Sequence, residues 1–449
     1  MKSKYKPYPN YRDSGVDWLG EIPEEWEATK LKYHTSIYNG NSISDNQKSN
    51  YENQDESISM PYISTKDLDA KYFTVEYNNG LGIPSQNKSL FKVAKASSTL
   101  VCIEGGSAGK KLAYLKNDVC FVNKLACVES LKTLDSKYTN YFIHSSLFKY
   151  SFELATTGLI PGVSISELKD ILSLYPPLQE QKAIANYLDS ATAKIDTLIE
   201  KQTKLIELLK EKRQAVISTA VTRGLDNTVA MKDSGVGWLG EIPEHWISTK
   251  VKNMLSTPIT DGPHETPEFL DEGVPFISAE AISQGYINFN KVRGHITQEA
   301  NKKYSQKYTP KIHDVYMIKS GATTGVTAMV EDRIDFNIWS PLAVFRSTSR
   351  LNPYYLLNFL RSSNFQKAVE LYWSYGTQQN IGMNVLENLY ITIPPIQEQE
   401  KIADYLNDKT SKIDNLISKS IKAIDLLKEK RTSLVSSAVT GKIDVREIA

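Results

Sequence analysis

The segment 105–111, Gly-Gly-Ser-Ala-Gly-Lys-Lys, has the residue types that come closest to a nucleotide-binding chemistry. A phosphate-binding loop of the G-x-x-x-x-G-K-[ST] type needs a glycine at its first position and a hydroxyl side chain after the lysine. Glu104 occupies that first position, and Lys111 replaces the hydroxyl residue. The pattern therefore argues against a nucleoside triphosphate site. It leaves two alternatives, an ordinary hairpin turn or a loop whose backbone N–H groups contact a DNA phosphate.

No other spacing of residues supports catalysis. Tyr-Pro-Pro-Leu at 175–178 differs at both ends from the [DNS]-P-P-[YFW] motif of amino-methyltransferases, and the sequence has no Gly-rich adenosylmethionine loop. The six histidines are scattered, and Cys102, Cys120 and Cys127 form no C-x-x-C pair, which favours buried thiols over a metal site or disulfides. We expect a chain that is not an enzyme by itself and that binds neither a metal nor a cofactor.

Two further loops carry side chains suited to hydrogen bonding with nucleic acid. The loop 261–267, Asp-Gly-Pro-His-Glu-Thr-Pro, is shaped by its glycine and prolines. The segment 374–380 ends in Gln-Gln-Asn, and amides of this kind pair with the adenine edge. For both loops an ordinary solvated turn remains open. The DNA-binding candidates in these and related segments are Lys66, Ser107, Lys110, Lys111, Lys124, Thr157, His264, Thr266, Thr323, Thr324, Gln378, Gln379 and Asn380.

Bulk charge does not indicate a nucleic-acid partner, because the formal net charge of the 449 residues is only +1. Any DNA affinity must come from local patches. The first residues contain no apolar leader, and no apolar run reaches the roughly 18 residues of a membrane helix. We therefore expect a cytoplasmic chain that has no membrane partner.

Two segments of the sequence each occur in two matching copies. Residues 13–32 and 233–252 are nearly identical and share the motif W-L-G-E-I-P-E-x-W, which we call the frame motif. Residues 176–213 and 394–431 also match, each beginning P-P-x-Q-E-Q and ending K-E-K-R. The segments between these copies differ much more. A repeated scaffold that carries two different surfaces suits a protein that recognises two different binding sites.

The second pair of matching segments predicts two long helices. Apolar residues recur at alternating spacings of four and three over about four heptads, which is typical of a coiled coil. Antiparallel pairing of the two helices is the prediction; packing of each helix on its own domain is the alternative. The residues assigned to this seam or to partner docking are Gln179, Gln181, Ile184, Leu188, Ile195, Leu198, Leu205, Leu209, Gln397, Gln399, Ile402, Leu406, Ile413, Leu416 and Leu427.

The variable segments mix short β-type runs with amphipathic helical patterns, which predicts an α/β class for both. Short similarities, such as 60–68 with 274–282, indicate that both segments share one fold. The predicted domains are a first recognition domain (1–175), a central helix (176–226), a second recognition domain (227–393) and a distal helix (394–449). The whole chain then has an internal pseudo-two-fold repeat.

The twin frame motifs, the twin P-P-x-Q-E-Q helices and the loops 261–267 and 320–325 together resemble the specificity subunit of Type I restriction–modification systems. The resemblance covers nearly the whole chain, and the repeated helix is its most specific element. It implies two target recognition domains, each reading half of a bipartite asymmetric sequence in double-stranded DNA. The antiparallel helices would set the spacer length and dock two modification subunits.

The same resemblance assigns the chemistry to the partners. Modification subunits would use S-adenosylmethionine to methylate adenine at N6, and restriction subunits would use ATP and Mg²⁺ to translocate and cleave DNA. This chain would provide sequence specificity. A coiled-coil scaffold that links two protein-binding domains is the rival hypothesis. This hypothesis accounts for the neutral net charge. It explains poorly why the frame motifs and long helices match between the repeats while the variable segments differ.

Overall fold

The computed structural model describes residues 6–52, 59–70, 73–156, 161–375 and 379–446. The chain forms two compact units: unit 1 comprises Met1–Gln202 with Lys422–Ala449, and unit 2 comprises Thr203–Ile421. Each unit contains one frame motif, one variable segment and a part of each long helix. Both units mix helices and strands, so the α/β class predicted for them is confirmed.

The strands of the first half are short, with two to six residues each. They are β1 (Tyr11–Asp13), β2 (Glu21–Pro23), β3 (Glu27–Lys30), β4 (Thr35–Asn39), β5 (Ser59–Ile63), β6 (Gly82–Pro84), β7 (Val93–Ala94), β8 (Thr99–Cys102), β9 (Leu112–Tyr114), β10 (Val119–Phe121), β11 (Leu125–Ser130) and β12 (Leu172–Tyr175). The helices of this half are α1 (Asp45–Lys48), α2 (Ser136–Ile143), α3 (Ser146–Ala155), α4 (Ile165–Asp170) and α5 (Leu178–Arg223).

The second half repeats this order with local differences. Its strands are β13 (Met231–Asp233), β14 (Glu241–Pro243), β15 (Ile247–Lys250), β16 (Thr260–Asp261), β17 (Val274–Ile277), β18 (Gly294–Ile296), β19 (Val315–Ile318), β20 (Thr327–Met329), β21 (Asn337–Ile338), β22 (Leu342–Phe345), β23 (Ser374–Tyr375), β24 (Gln379–Asn380) and β25 (Tyr390–Ile393). Its helices are α6 (Ala279–Ile282), α7 (Gln298–Ser305), α8 (Pro353–Arg361), α9 (Ser363–Leu371), α10 (Met383–Asn388) and α11 (Ile396–Val439).

The two variable segments share the strand order of one four-stranded sheet, which agrees with the prediction of a common fold. The order β4-β11-β8-β9 in unit 1 corresponds to β16-β22-β19-β20 in unit 2. A parallel pair, β5 with β10 and β17 with β21, forms part of a second sheet in each unit. The antiparallel pairs β3–β12 and β15–β25 then connect each frame motif to the strand that precedes a long helix.

The frame motif is repeated because its apolar residues fill equivalent cores. Ile22 and Trp26 in unit 1, and Ile242 and Trp246 in unit 2, are completely buried. The indole Nε1 of Trp26 donates to Glu180 Oε1 at 2.9 Å, near the start of α5. In unit 1 the frame motif thus anchors the beginning of α5 to the sheet that precedes it.

The long helices run antiparallel within each unit. In unit 1, Arg431 Nε of α11 lies 2.9 Å from Asp196 Oδ1 of α5. In unit 2, Arg213 Nε of α5 lies 2.9 Å from Asp414 Oδ1 of α11. The two ion pairs join matching positions of the two repeats. Packing of α5 against α11 is thereby confirmed, and each pair of helix segments also packs on its own unit.

The buried seam departs from the predicted heptad positions. Leu198, Leu205 and Leu416, which the heptad pattern assigned to the seam, are exposed. Ile199 is buried in place of Leu198. An α-helix has 3.6 residues per turn, so a strict seven-residue repeat drifts by about 20° per heptad and the buried stripe moves to neighbouring positions. Leu427 is half-buried, and the remaining predicted seam positions are buried: Ile184, Leu188, Ile195, Leu209, Ile402, Leu406 and Ile413.

The repeated glutamines of P-P-x-Q-E-Q have an internal function. Gln181 Oε1 accepts from the backbone N–H of Asp135 at 2.7 Å, and Gln399 Oε1 accepts from that of Asn352 at 2.8 Å. Both side chains are buried, so docking of a partner by Gln181 and Gln399 does not agree with the structure. Burial follows because each amide joins the start of a long helix to the N-terminal cap of α2 or α8. Gln179 and Gln397 are exposed.

Candidate nucleic-acid interface

Loops of unit 2 that are distant in sequence meet around the end of β19. The N–H of Gly321 donates to the carbonyl of Gln379 at 2.9 Å, which joins the 320–325 turn to β24. The ammonium of Lys319 lies 3.2 Å from Asp261 Oδ2, and the N–H of Ser340 donates to the carbonyl of Pro263. These contacts bring the 261–267 loop to the same place. We call this surface the unit 2 face.

The structure places most of the unit 2 candidates on this face. Thr324 is half-buried, and its hydroxyl donates to the carbonyl of Gly321 at 2.7 Å. Gln378 lies outside the described residues. The other candidates, all exposed, are His264, Thr266, Thr323, Gln379 and Asn380. These exposed members combine hydroxyl, imidazole and amide groups, which can donate or accept hydrogen bonds at base edges.

A buried carboxylate beneath the 261–267 loop was not selected from the sequence. Asp261 is completely buried and forms ion pairs with Lys307 and Lys319, while His264 Nε2 lies 3.1 Å from its Oδ2. Burial by itself raises the pKa of Asp261, but the contacts with the two lysine ammonium groups outweigh it and hold the pKa below its usual value. An ionised carboxylate beneath the face therefore contacts two lysines and the exposed His264.

In the sequence, only Gly262 beside Asp261 could have indicated this arrangement. A side chain at Gly262 would place its Cβ only 2.0 Å from the carbonyl oxygen of Ile338, so no other residue fits without displacing the backbone. Asp261 directly precedes this close approach in the sequence. Lys307 and Lys319 could not have been found in this way, because nothing in their local sequence indicates the contact.

Unit 1 forms a corresponding face with different side chains. Its 105–109 turn joins β8 to β9 as a hairpin, whereas a phosphate-binding loop joins a strand to a helix, so the exclusion of that loop is consistent with the geometry. The N–H of Gly105 donates to the carbonyl of Pro161 at 2.9 Å. This contact corresponds to the one between Gly321 and Gln379 in unit 2.

The lysine candidates of unit 1 surround this turn. Lys124 Nζ lies 3.4 Å from Glu104 Oε1. Lys111 Nζ donates to the carbonyl of Thr65 at 2.8 Å, beside the exposed Lys66. These contacts bring lysines from three separate segments of the chain to one surface.

The remaining unit 1 candidates belong to the turn or to the segment after α3. Lys110 is exposed and Ser107 is half-buried within the turn. Thr157 lies outside the described residues. The structure thus brings the described candidates of unit 1 together, as it does those of unit 2.

The two faces differ most clearly at one matched pair. Gly40 in unit 1 makes the same close approach as Gly262, since a Cβ at Gly40 would lie 1.8 Å from the carbonyl oxygen of Phe121. Asn39 precedes it where unit 2 has Asp261, and its Oδ1 accepts from Lys92 Nζ at 3.1 Å. The same backbone therefore carries a neutral amide in one unit and a carboxylate in the other.

The described residues contain no group of three His, Cys, Asp or Glu side chains that could hold a metal ion. Cys102, Cys120 and Cys127 are all buried as free thiols, and burial raises the pKa of each one. Within the same described part of the chain, no helix is long and apolar enough to span a membrane.

Comparison with known proteins gives consistent matches. Residues 23–208 and 256–425 match the family described as Type I restriction modification DNA specificity domain. The Type I restriction enzyme EcoBI specificity subunit of Escherichia coli is 22% identical over 451 residues, which cover 96% of this chain and 89% of that protein. The MjaVIII specificity subunit of Methanocaldococcus jannaschii is 24% identical over 441 residues, with 95% of each chain covered.

Solved structures share the fold. A chain from a structure of the assembly and conformational transition of the type I R-M system aligns with a TM-score of 0.71 at 15% identity, covering 94% of this chain and 99% of that chain. The HsdS subunit from Thermoanaerobacter tengcongensis aligns with a TM-score of 0.51 at 15% identity, covering 94% and 98%.

Proposed function

This chain belongs to the Type I restriction modification DNA specificity domain family, and we propose that it provides the DNA sequence specificity of such a system. The observation that supports this function most directly is the pair of loop-built faces. Both faces rest on one repeated frame and one sheet topology, yet they present different side chains. A common support with two different surfaces suits the recognition of two different half-sites in double-stranded DNA.

The target in this proposal is bipartite and asymmetric. Unit 1 reads one half-site through the surface around Lys66, Lys110, Lys111 and Lys124, and unit 2 reads the other through its face. Base-edge hydrogen bonds in the major groove supply the specificity, and contacts to phosphates fix the register. A DNA target also implies that the chain acts in the cytoplasm of the cell that holds this DNA.

The partners in this proposal are two modification subunits, one for each repeat. Exposed leucines at matched positions support this stoichiometry: Leu198 and Leu416 are 47% and 50% exposed. Leu208 and Leu426 form a second exposed, matched pair. Each repeat therefore offers the same apolar side chains, which suits two copies of one partner.

The chemistry belongs to those partners. The modification subunits use S-adenosylmethionine to methylate adenine at N6, for which the adenine must leave the base stack. Restriction subunits, when they join the complex, use ATP and Mg²⁺ to cleave DNA. The absence of a catalytic motif in the sequence is consistent with this division.

Long-read sequencing of DNA methylation tests the function. The chain would be expressed with its modification subunit in a host that has no methylation of its own. We expect N6-methyladenine in one bipartite motif, whose two halves are separated by a spacer of fixed length. A matched strain expressing the modification subunit alone is the control and should lack the motif. No methylation, with both proteins folded and associated, would favour the scaffold hypothesis instead.

A further inference from the structure

A cleft of about 500 Å³ borders the unit 2 face between the 261–267 loop and α7. Its lining residues include Pro263, His264, Glu265, Lys303, Tyr304 and Lys307. Lys303 is paired with Glu265 at 2.6 Å, so its charge is already balanced. Lys307 differs, because the carboxylate it contacts is buried and shared with a second lysine.

The geometry around Asp261 leaves positive charge at this cleft. One carboxylate contacts the ammonium groups of both Lys307 and Lys319, so the three groups together carry a formal charge of about +1. Lys307 Nζ donates to Asp261 Oδ1 and to the carbonyl of Gly262. An ammonium has three donors, so one remains for a ligand. The side chain of Lys307 is 47% exposed, whereas that of Lys319 is only 12% exposed.

We propose that Lys307 binds a phosphate group of the target DNA in this cleft, and that Asp261 is the positioning residue that holds the Lys307 ammonium there. The assignment rests on the proposed function, because it takes the unit 2 face to be the one that contacts DNA. Lysine binds phosphate as a point charge, so its position matters more than its orientation. A phosphate held beside the 261–267 loop fixes the register of His264 and Thr266 on the bases.

The first half of the chain provides an internal comparison for the positioning residue. Unit 1 has Asn39 at the position of Asp261, and it contacts one lysine, Lys92, at 3.1 Å. The substitution Asp261→Asn therefore gives unit 2 a side chain that the same backbone already accommodates in unit 1. It removes the charge that fixes Lys307 and leaves the shape of the side chain nearly unchanged.

The test measures DNA binding by the complex of this chain with its modification subunits. The dissociation constant for the methylated target sequence would be determined over a range of KCl concentrations. The logarithm of the association constant falls as the logarithm of the salt concentration rises. Loss of one phosphate contact makes this negative slope shallower by about 0.9. We expect this loss for Lys307→Gln, and we expect Lys307→Arg to retain most of the wild-type slope. Lys302→Gln, a neighbouring exposed lysine of α7, is the matched control and should keep it.

The positioning function is tested by combining substitutions. We expect Asp261→Asn to weaken binding even though it removes a negative charge, because the Lys307 ammonium is no longer fixed. Adding Lys307→Gln to that variant should then weaken DNA binding only slightly further. Strictly additive effects would mean that Asp261 does not act through Lys307. An unchanged slope for Lys307→Gln, or an equal loss for Lys302→Gln, would overturn the phosphate assignment.

Modified DNA gives a second test, in which the change is made in the ligand rather than in the protein. Single phosphates near each half-site would be replaced by neutral methylphosphonates. We expect one position at which the replacement weakens binding by the wild-type complex but not by the Lys307→Gln complex, which has already lost that contact. If every position weakens both complexes equally, the cleft holds no DNA phosphate.

Two further outcomes separate this assignment from its alternatives. Inorganic phosphate is the probe for a free anion. If it binds the complex at low millimolar concentration through Lys307 and leaves DNA affinity unchanged, the cleft is a small-anion site and the DNA assignment is wrong. If the wild-type complex binds no DNA at all, the proposed function fails first and this assignment fails with it.

Discussion

At the scale of single residues, His144 and Arg361 show how one matched position acquires two chemistries. His144 directly follows α2, and Arg361 is the last residue of α8. The Arg361 guanidinium donates to the carbonyls of Gly285 and Thr327 and to the Thr327 hydroxyl, and burial lowers its pKa to about 10. The imidazole of His144 lies edge-on to the ring of Phe73, with 4.4 Å between ring centroids.

We expect His144 to make the stability of unit 1 depend on pH. Its Nδ1 lies 2.7 Å from the carbonyl oxygen of Asn140, while its Nε2 is buried without a hydrogen-bond partner among the described residues. Burial lowers the pKa of His144 from 6.5 to about 4. As the pH falls below 6.5, the unfolded chain binds a proton that the folded chain excludes. Stability is therefore lost between pH 6.5 and 4, by about 3 kcal/mol in total.

The variant His144→Gln tests this linkage. Glutamine does not titrate, so we expect its free energy of unfolding to fall less than that of the wild type between pH 7.5 and 5.5, by roughly 1 kcal/mol. Urea unfolding at both pH values provides the measurement, and the difference between the two pH values is compared rather than the absolute stability. Parallel losses in both proteins would show that His144 is not the responsible group.

At the scale of elements, each long helix is attached to its unit by the same amide. Gln399 accepts from the N–H of Asn352 and donates to the carbonyl of Pro394 at 2.9 Å, and Gln181 makes the corresponding contacts in unit 1. The amide pairs with the N–H of the residue that caps α8 and with a carbonyl just before α11. This requirement explains why P-P-x-Q-E-Q occurs twice while the surfaces between its copies diverge.

The substitution Gln399→Ala should destabilise unit 2 by about 1–3 kcal/mol, because it leaves buried backbone groups without partners. We expect hydrogen exchange to become faster in α8 (Pro353–Arg361), while α2 in unit 1 keeps its protection. Gln397→Ala, which removes an exposed glutamine of the same motif, is the control and should change stability by less than about 0.5 kcal/mol. Equal effects of the two substitutions would contradict the internal role of Gln399.

At the scale of the whole molecule, unit 1 is assembled from both ends of the chain. The hydroxyl of Tyr11 donates to the carbonyl of Gly441 at 2.9 Å, and Lys6 pairs with Asp444 in a β-bridge. Val445 is completely buried in the core of unit 1. The last residues therefore belong to the unit that contains the first ones, although unit 2 precedes them in sequence.

The substitution Val445→Asp should consequently destabilise unit 1 and spare unit 2. Burial of an unpaired polar group costs roughly 2–7 kcal/mol. We expect faster hydrogen exchange in β1–β3 and at the start of α5, with unchanged exchange in α8 and α9. Lys442→Asp, at an exposed position of the same tail, is the control and should have little effect. Loss of protection in unit 2 alone would contradict this assignment of the tail.

The sequence by itself determined the repeat, the two long helices, the α/β class and the correspondence between the variable segments. These features depend on local periodicity or on direct comparison of one segment with another. They can therefore be predicted without knowledge of any tertiary contact. The sequence also identified the loops 105–111, 261–267 and 320–325 as unusual, since glycines and prolines restrict the backbone locally.

Only the tertiary structure decided which of these residues meet. Asp261 contacts Lys307 and Lys319 across long stretches of chain, and no periodicity relates them. The drift of a straight helix moved the buried seam from Leu198 to Ile199, and burial assigned Gln181 and Gln399 to the interior. Contacts between distant segments depend on how packed elements close on one another, and this is a property of the fold rather than of any local pattern.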